Sequence, residues 1–270
     1  MSEYKEILDK IAFSHSSLSQ YCECPYAFFM NKVQGIRGDG NAYAEIGSFG
    51  HELCAKFLTK EASLADVLAE CVEDFDDHIT CEISETSKDK KYYALCEYIA
   101  EFDEDDFRQR FEVLAVEKKV FWTIQRHRMV GVIDLVLRDK KTGKIYLVDH
   151  KSSSHFLKKD GKPLKTMEES FAKYRRQMYM YADAMQNSKD FGFTPDYIVW
   201  NHFLDDGKLT VIPFNEDDYA ETLKWVTDTI DRIYEDEEFL PKMSYMMCNT
   251  LCDYRNGYCE YMMIGEDEDE

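Results

Sequence analysis

Two aspartates interrupt runs of residues that otherwise read as buried β-strands, and no other feature of the sequence restricts the fold as much. Asp134 stands in Gly131-Val132-Ile133-Asp134, inside the run Arg128 to Arg138, and Asp149 follows Ile145-Tyr146-Leu147-Val148 and precedes His150 and Lys151. An ionised carboxylate on an apolar strand is costly unless something compensates it. A turn at Lys140 to Gly143 makes the two runs a hairpin, which brings both carboxylates to one end of a sheet. Carboxylates forced together repel, and a divalent cation removes the conflict. Lys151 lies two residues past Asp149, so on an extended strand it faces the same way. Cation, carboxylates and lysine together can hold a water, favour its hydroxide form and neutralise charge developing on a phosphate. The same residues also admit a plainer arrangement, an Asp134–Lys151 salt bridge with Asp149 capping the strand end.

The rest of the chain supplies helices around these strands. Ser14 to Ser19 offers helix caps ahead of a short helix, or two, interrupted at Pro25. Ala42 to Lys60 puts Ile46, Phe49, Leu53 and Phe57 on one stripe, with Gly47 and Gly50 where something packs closely. Acidic amphipathic helices are expected over Leu64 to Ile79 and Lys91 to Arg110, then strands over Phe111 to Thr123, Arg128 to Arg138 and Lys144 to His150. A long helix follows, about Met167 to Asn187, then strands Asp196 to Leu204 and Lys208 to Phe214, and a helix over about Glu216 to Tyr234. That order predicts an α/β architecture with a mixed sheet. No repeat, low-complexity linker or proline cluster marks a boundary, which predicts one compact unit over residues 1–264. Its parts are a helical segment 1–110, a core 111–214 and a C-terminal segment 215–264, with a mobile acidic tail at 265–270.

Charge first argues against a nucleic-acid partner, since 33 Lys plus Arg face 53 Asp plus Glu, a formal −20. Its distribution reverses that. Lys118 to Arg176 holds 16 basic and 6 acidic residues, so a segment of +10 lies in a remainder of −30. The acidic blocks read as solvated helix faces. The absence of an apolar run of membrane length and the charged residues from Glu3 to Lys10 predict a cytoplasmic protein with no membrane contact. In a reducing compartment nine cysteines are poor candidates for disulfides. Cys22, Cys54, Cys71, Cys81 and Cys96 read as small buried hydrophobes. Cys248-x3-Cys252-x6-Cys259 instead groups three thiols in a turn-rich stretch, the spacing of a soft-metal site with Cys24, or Cys22, as a fourth ligand.

Asp134 with Asp149-x-Lys151, on successive strands after a helix, resembles the PD-(D/E)XK nuclease superfamily, whose core is a restriction-endonuclease-like mixed sheet flanked by helices. Three further matches resemble its RecB-like exonuclease branch. Gly47-Ser48-Phe49-Gly50-His51 is similar to that branch's G-x-x-x-H helix, and Gln177-Met178-Tyr179-Met180-Tyr181 to its Q-x-x-x-Y motif. Ser17-Leu18 followed by Cys24-Pro25-Tyr26, with Cys248, Cys252 and Cys259, resembles its iron-sulfur members, the AddB nuclease domain and the CRISPR-associated exonucleases.

The resemblance implies that His51, Asp134, Asp149 and the carbonyl of His150 hold Mg2+ or Mn2+, that Lys151 positions the attacking water, and that Gln177 and Tyr181 orient the lysine or a phosphate. Glu117 is a weaker candidate for a supporting acid, and Arg175 and Arg176 are either phosphate contacts or simply exposed. It further implies a 4Fe-4S cluster, with zinc the lesser alternative, on Cys24, Cys248, Cys252 and Cys259, joining the two ends of the chain. The family's spacing is tighter by one residue in each gap. The activity implied is an exonuclease on single-stranded DNA or DNA ends, in recombination, repair, CRISPR adaptation or phage DNA metabolism. No G-x-x-x-x-G-K-[ST] loop is present, so a helicase, recombination or adaptation partner would supply any unwinding. The alternatives are an inactive nuclease scaffold used for binding or assembly, and an acidic DNA mimic, which the +10 segment opposes.

Overall fold

The computed structural model describes residues 4–158, 161–205, 207–243, 248–249, 252–255 and 257–261, and the acidic tail at 265–270 falls outside them. Two compact units emerge, one built from residues 1–41 with 226–270 and the other from Ala42–Trp225.

The first unit gathers both ends of the chain. Helix α1 covers Lys5–Leu8, and α2, His15–Glu23, opens on a capping box in which Ser14 and Ser17 each accept the other's backbone N–H. Cys24 is extended because Pro25 excludes the helical region for the residue before it, and Pro25 then starts α3, Pro25–Phe28. The interruption expected at Pro25 is therefore present, and α3 continues into a π-turn at Phe29–Val33. Gly38 has no room for a side chain, since a Cβ there would lie 2.2 Å from the Asp253 carbonyl oxygen.

The second unit holds the sheet. Helix α4, Ala42–Leu58, buries Ile46, Phe49, Leu53 and Phe57 as one stripe, and at Gly50 a Cβ would lie 2.5 Å from the Phe203 ring. Helix α5, Leu64–His78, is capped by Ser63 and Asp66. The single helix expected over Lys91 to Arg110 is two, α6 Glu85–Ala100 and α7 Glu104–Arg110. Asp103 ends the first continuity by turning its carboxylate onto the Asp106 N–H at 2.9 Å, and Ser84 starts α6 earlier by capping Ser87. Strands β1 Phe111–Ile124, β2 His127–Asp139, β3 Ile145–Lys151, β4 Tyr197–His202 and β5 Lys208–Pro213 follow in the order β1-β2-β3-β4-β5. All neighbours are antiparallel except β3 and β4, which are parallel because α8, Glu168–Asn187, crosses between them. The β2–β3 turn uses Gly143 at φ 73° and the Asp139 carboxylate, which accepts the N–H groups of Lys141 and Thr142. This is the mixed sheet the sequence predicts. One face, with Leu135, Leu137, Val148 and Val199, forms a core with α4, α5 and α6, while α8 packs on β1 and β3. Helix α9, Glu216–Glu235, closes the elements, and no helix among the described residues is long and apolar enough to cross a membrane.

Candidate active site

The antiparallel ladder between β2 and β3 runs from Arg138↔Ile145 to Leu135↔Val148, and the next positions are Asp134 and Asp149. There a side chain replaces the ladder: Asp134 Oδ2 accepts the His150 N–H at 2.8 Å. Asp134 and Asp149 are both buried. The period of two puts Asp149 and Lys151 on one face, where Lys151 Nζ lies 2.5 Å from Asp149 Oδ2. The lysine thus pairs with Asp149, and the plainer Asp134–Lys151 salt bridge does not form.

Helix α8 holds the lysine from the other side. Lys151 Nζ donates to Gln177 Oε1 at 3.1 Å, Gln177 Nε2 donates to the Tyr181 hydroxyl at 3.2 Å, and the Tyr174 ring lies 4.5 Å from the ammonium. Residues 174, 177 and 181 share one helical face. Tyr181 reaches this position because residue 131 is glycine: a Cβ there would lie 2.7 Å from its ring.

His51 arrives from α4. Its Nε2 meets the His150 carbonyl oxygen at 3.0 Å, and a carbonyl only accepts, so Nε2 carries a proton. Nδ1 faces Glu117 Oε1 at 3.3 Å and Asp134 Oδ2 at 3.6 Å. Glu117 sits opposite Asp134 between the paired positions Val116↔Leu135 and Lys118↔Ile133, with a left-handed φ of 43°. A non-glycine residue with such a backbone is uncommon and marks local strain. The turn puts the Glu117 carboxylate beside His51.

Electrostatics follow from burial and neighbours. Burial, then the Asp149 charge, pushes the Asp134 carboxyl up to about 7, against the opposing pull of His51 and Lys151. Burial draws the His51 imidazole down, but its hydrogen bond to Glu117 and the charges of Asp134 and Asp149 outweigh this and leave it above its ordinary value. Lys151 follows the same logic: burial lowers it, and Asp149 and Asp134 raise it further. The His150 ring has no such help and is pushed down to about 3 by burial, with His51 and Lys151 adding to the effect.

Among the described residues Asp149 Oδ1 has no hydrogen-bond partner, and Oδ2 is answered by the Lys151 ammonium. His51, Glu117 and Asp134 offer ligand atoms that all lie within 4.8 Å of one another. His51, Glu117 and Asp134, with the unpartnered Asp149 Oδ1 on the adjoining strand, are the kind of donor set that a hard divalent cation takes, and the residues fit one. A cleft of about 670 Å3 opens onto His51, Glu117 and Lys151, with Tyr43, Ser152 and Tyr174 among its walls.

The +10 segment is less basic in space than in sequence. Lys118 pairs with Asp190 at 2.9 Å, Arg138 with Glu112 at 3.0 Å, Lys144 with Asp196 at 2.5 Å and Arg175 with Asp218 at 2.9 Å, each partner lying outside the segment. Arg176 lies 5.1 Å over the Trp225 ring.

At the chain ends, Cys24, Cys252 and Cys259 pack around Ala27, Met30 and Tyr254. Burial raises the Cys252 thiol, and Cys24, Cys259 and Cys248 lie near enough for their charges to raise it further. Cys22 is turned away, 3.9 Å from the Thr229 hydroxyl. Cys71 is fully buried, as expected of a small hydrophobe, and Cys54, Cys81 and Cys96 pack against the same core.

With this geometry in view, the comparison with known proteins is decisive at the level of family: the model of the PD-(D/E)XK nuclease superfamily matches residues 12–264. The chain belongs to that superfamily. The fold of this PD-(D/E)XK nuclease is similar to the crystal structure of a candidate exonuclease from Eubacterium rectale, with a TM-score of 0.52 and 15% identity over 94% of this chain and 89% of that one. No curated protein sequence matches. In this nuclease fold His51, Asp134, Asp149, the His150 carbonyl, Lys151, Gln177 and Tyr181 are joined by the contacts described above, and the four thiols belong to the other unit. Sequence reasoning undervalued Glu117, whose signal was an acid inside the apolar run Phe111 to Thr123, and missed Tyr174, which precedes Gln177 by nearly one helical turn.

Proposed function

We propose that this PD-(D/E)XK nuclease is a Mg2+- or Mn2+-dependent exonuclease of the RecB-like branch, acting on single-stranded DNA or DNA ends, with residues 1–264 as its nuclease domain. The observation that carries the reading is the buried Asp149 carboxylate, whose Oδ1 has no hydrogen-bond partner among the described residues and whose charge acts on Asp134, His51 and Lys151. His51, Glu117, Asp134, Asp149 and the His150 carbonyl would hold the cation, whose chemistry is to polarise a phosphodiester oxygen and make hydroxide available at neutral pH.

The chain's own residues do the rest. Lys151 is kept charged by Asp149 and Asp134, and its contact with Gln177 fixes the ammonium where it can orient a water or meet a phosphate oxygen. Gln177 is fixed in turn by Tyr181, and the Tyr174 ring lies against the lysine's ammonium. Hydrolysis leaves an alkoxide that takes its proton from water, which the open cleft beside His51 and Lys151 admits. The RecB-like reading draws on the G-x-x-x-H and Q-x-x-x-Y residues meeting at one pocket, and the exonuclease reading on the description of the Eubacterium rectale relative. Cys24, Cys248, Cys252 and Cys259 would bind a 4Fe-4S cluster with a structural role, fastening the ends of the first unit. A helicase, recombination or CRISPR-adaptation partner would provide unwinding.

The test is digestion of end-labelled single- and double-stranded DNA with Mg2+, Mn2+ or chelator. Release of short products from ends, lost with chelator and in Asp134→Ala with its fold retained, is the expected result. Cutting that persists in Asp134→Ala or with chelator overturns the proposal, and so does a folded, metal-loaded protein that binds DNA without cutting. Visible absorbance and iron content of anaerobically purified protein test the cluster separately.

A further inference from the structure

The ladder between β2 and β3 ends at Leu135↔Val148, but β1 and β2 run on together past Glu117 and Asp134 to the turn at Gln125 and Arg126. Residues 118–133 therefore form a two-stranded arm that begins at the pocket and, at about 3.3 Å per residue, reaches about 23 Å beyond Glu117. Its two faces differ. One is buried, with Val120, Trp122 and Ile124 of β1 beside Met129, Gly131 and Ile133 of β2, and Gly131 lies against the Tyr181 ring of α8. The other is open. Its cross-strand rungs are Lys119↔Val132, Phe121↔Val130 and Thr123↔Arg128, and the first follows directly on the positions of Glu117 and Asp134. Phe121 is 62% exposed, and Lys119 Nζ lies 5.3 Å from its ring.

Charge sets this arm apart from the rest of the molecule. No Asp or Glu occurs from Lys118 to Ile133, in a chain whose formal charge is −20. Lys118 is paired with Asp190, whereas Lys119 and Arg126 make no ion pair among the described residues. The ion pairs that neutralise much of the basic segment thus leave cations exposed on the arm, beside an exposed aromatic ring.

That combination suits one kind of ligand. A single nucleic-acid strand offers unpaired bases that stack on an aromatic ring and phosphates that meet cations. A base inside a duplex has both faces covered by its neighbours in the stack, so it has no face to give Phe121. We propose that the open face of the arm is a track for single-stranded DNA leading to the cleavage pocket, with Phe121 stacking on an unpaired base and Lys119 and Arg126 meeting phosphates. The inference rests on the nuclease reading for its ligand, and it goes further by assigning the grip on that ligand to the arm and to an unpaired stretch of about four nucleotides.

The experiment measures binding and cutting separately on the full chain. Binding is read from the fluorescence anisotropy of a labelled oligothymidylate, and of a labelled blunt duplex, in chelator. Phe121→Ala should raise the Kd for the single strand about tenfold and leave the duplex within about twofold, while Phe121→Tyr should stay close to wild type. An oligonucleotide made of abasic positions should bind wild type and Phe121→Ala alike. Lys119→Gln and Arg126→Gln should each weaken binding and flatten the slope of log Kd against log salt by about 0.7. With Mg2+, Phe121→Ala should raise the KM for single strands far more than it lowers kcat. All three side chains are exposed, so the variants should keep the wild-type circular dichroism. Unchanged single-strand Kd and KM in Phe121→Ala and Arg126→Gln overturn the proposal, as does an equal loss on the duplex. So does a chain that self-associates through this face, with Phe121→Ala dissociating it in sedimentation while DNA affinity stays the same. If the wild type cuts DNA and these variants match it, the track falls and the nuclease reading stands; if the wild type binds single strands as described but cuts nothing, the reading falls and the track stands.

Discussion

The two faces of strand β3 treat a buried ionisable group in opposite ways. On one face Lys151 is held between Asp149, Gln177 and the Tyr174 ring, and its neighbours' charges keep it ionised. On the other, His150 sits one residue away among apolar walls and an amide, and burial leaves it neutral with a pKa near about 3. Burial penalises the charged form on both sides, so what differs is whether opposite charge answers it. A single period-two strand can therefore carry an ionised pocket and a neutral buried ring back to back.

The comparison breaks most visibly on the charged face. Asp149→Ala or Lys151→Ala should reduce DNA cutting about a thousandfold while circular dichroism stays native, because each removes a charge from the pocket. A smaller loss in both would mean that this face is not where the chemistry occurs. Divalent cation should stabilise the folded chain, by about 2.7 kcal/mol at a hundred times its Kd, read from thermal melts with and without chelator. Asp149→Asn should erase most of that difference.

Without metal, pH sharpens the same point. Between its ordinary value of 3.8 and a folded value of about 7, Asp134 keeps a proton in the folded state that the unfolded chain has lost. Stability must then fall as pH rises through this window. His51 works in the same direction, since its raised folded value contributes stability below 6.5 that disappears as pH climbs past that folded value. Urea melts at pH 5 and pH 8 in chelator should show the decline, and Asp134→Asn should flatten it. An unchanged slope in that variant would place the titration elsewhere.

Smaller effects test the supports. Gly131→Ala pushes a methyl group against the Tyr181 ring, for an expected loss of about 1–3 kcal/mol in denaturant melts and a modest drop in cutting. On the neutral face, Asn201→Leu leaves the Tyr98 hydroxyl and His150 Nδ1 without the amide, for an expected loss of about 1–2 kcal/mol. If Gly131→Ala costs less than Asn201→Leu, the fit of α8 against β2 is looser than the geometry indicates.

Much of this was legible in the sequence, for local reasons. The alternation around Asp134 and Asp149 predicted strands, the turn residues joined them, and the period of two put Lys151 on the Asp149 face. The division of one expected helix into α6 and α7 was harder to read, because the acidic run Glu101 to Asp106 reads as a helix face until Asp103 is seen to cap. Glu117 was underrated because its place depends on a left-handed residue inside a strand, which periodicity does not reveal. The pairing of Lys118, Arg138, Lys144 and Arg175 was not legible, because their partners Asp190, Glu112, Asp196 and Asp218 lie outside the basic segment in the sequence.

From the sequence alone came the order of elements, the acids and lysine of the pocket, and the family motifs that contain them. Those follow from spacing over a few residues, where backbone geometry leaves little choice. Tertiary structure decided that Lys151 pairs with Asp149 and Gln177, that Glu117 stands beside His51, and that the His150 ring is buried against Asn201 on the opposite face of β3. Those depend on strand register and on how helices far apart in the chain pack against the sheet, and short-range patterns carry no record of such distances.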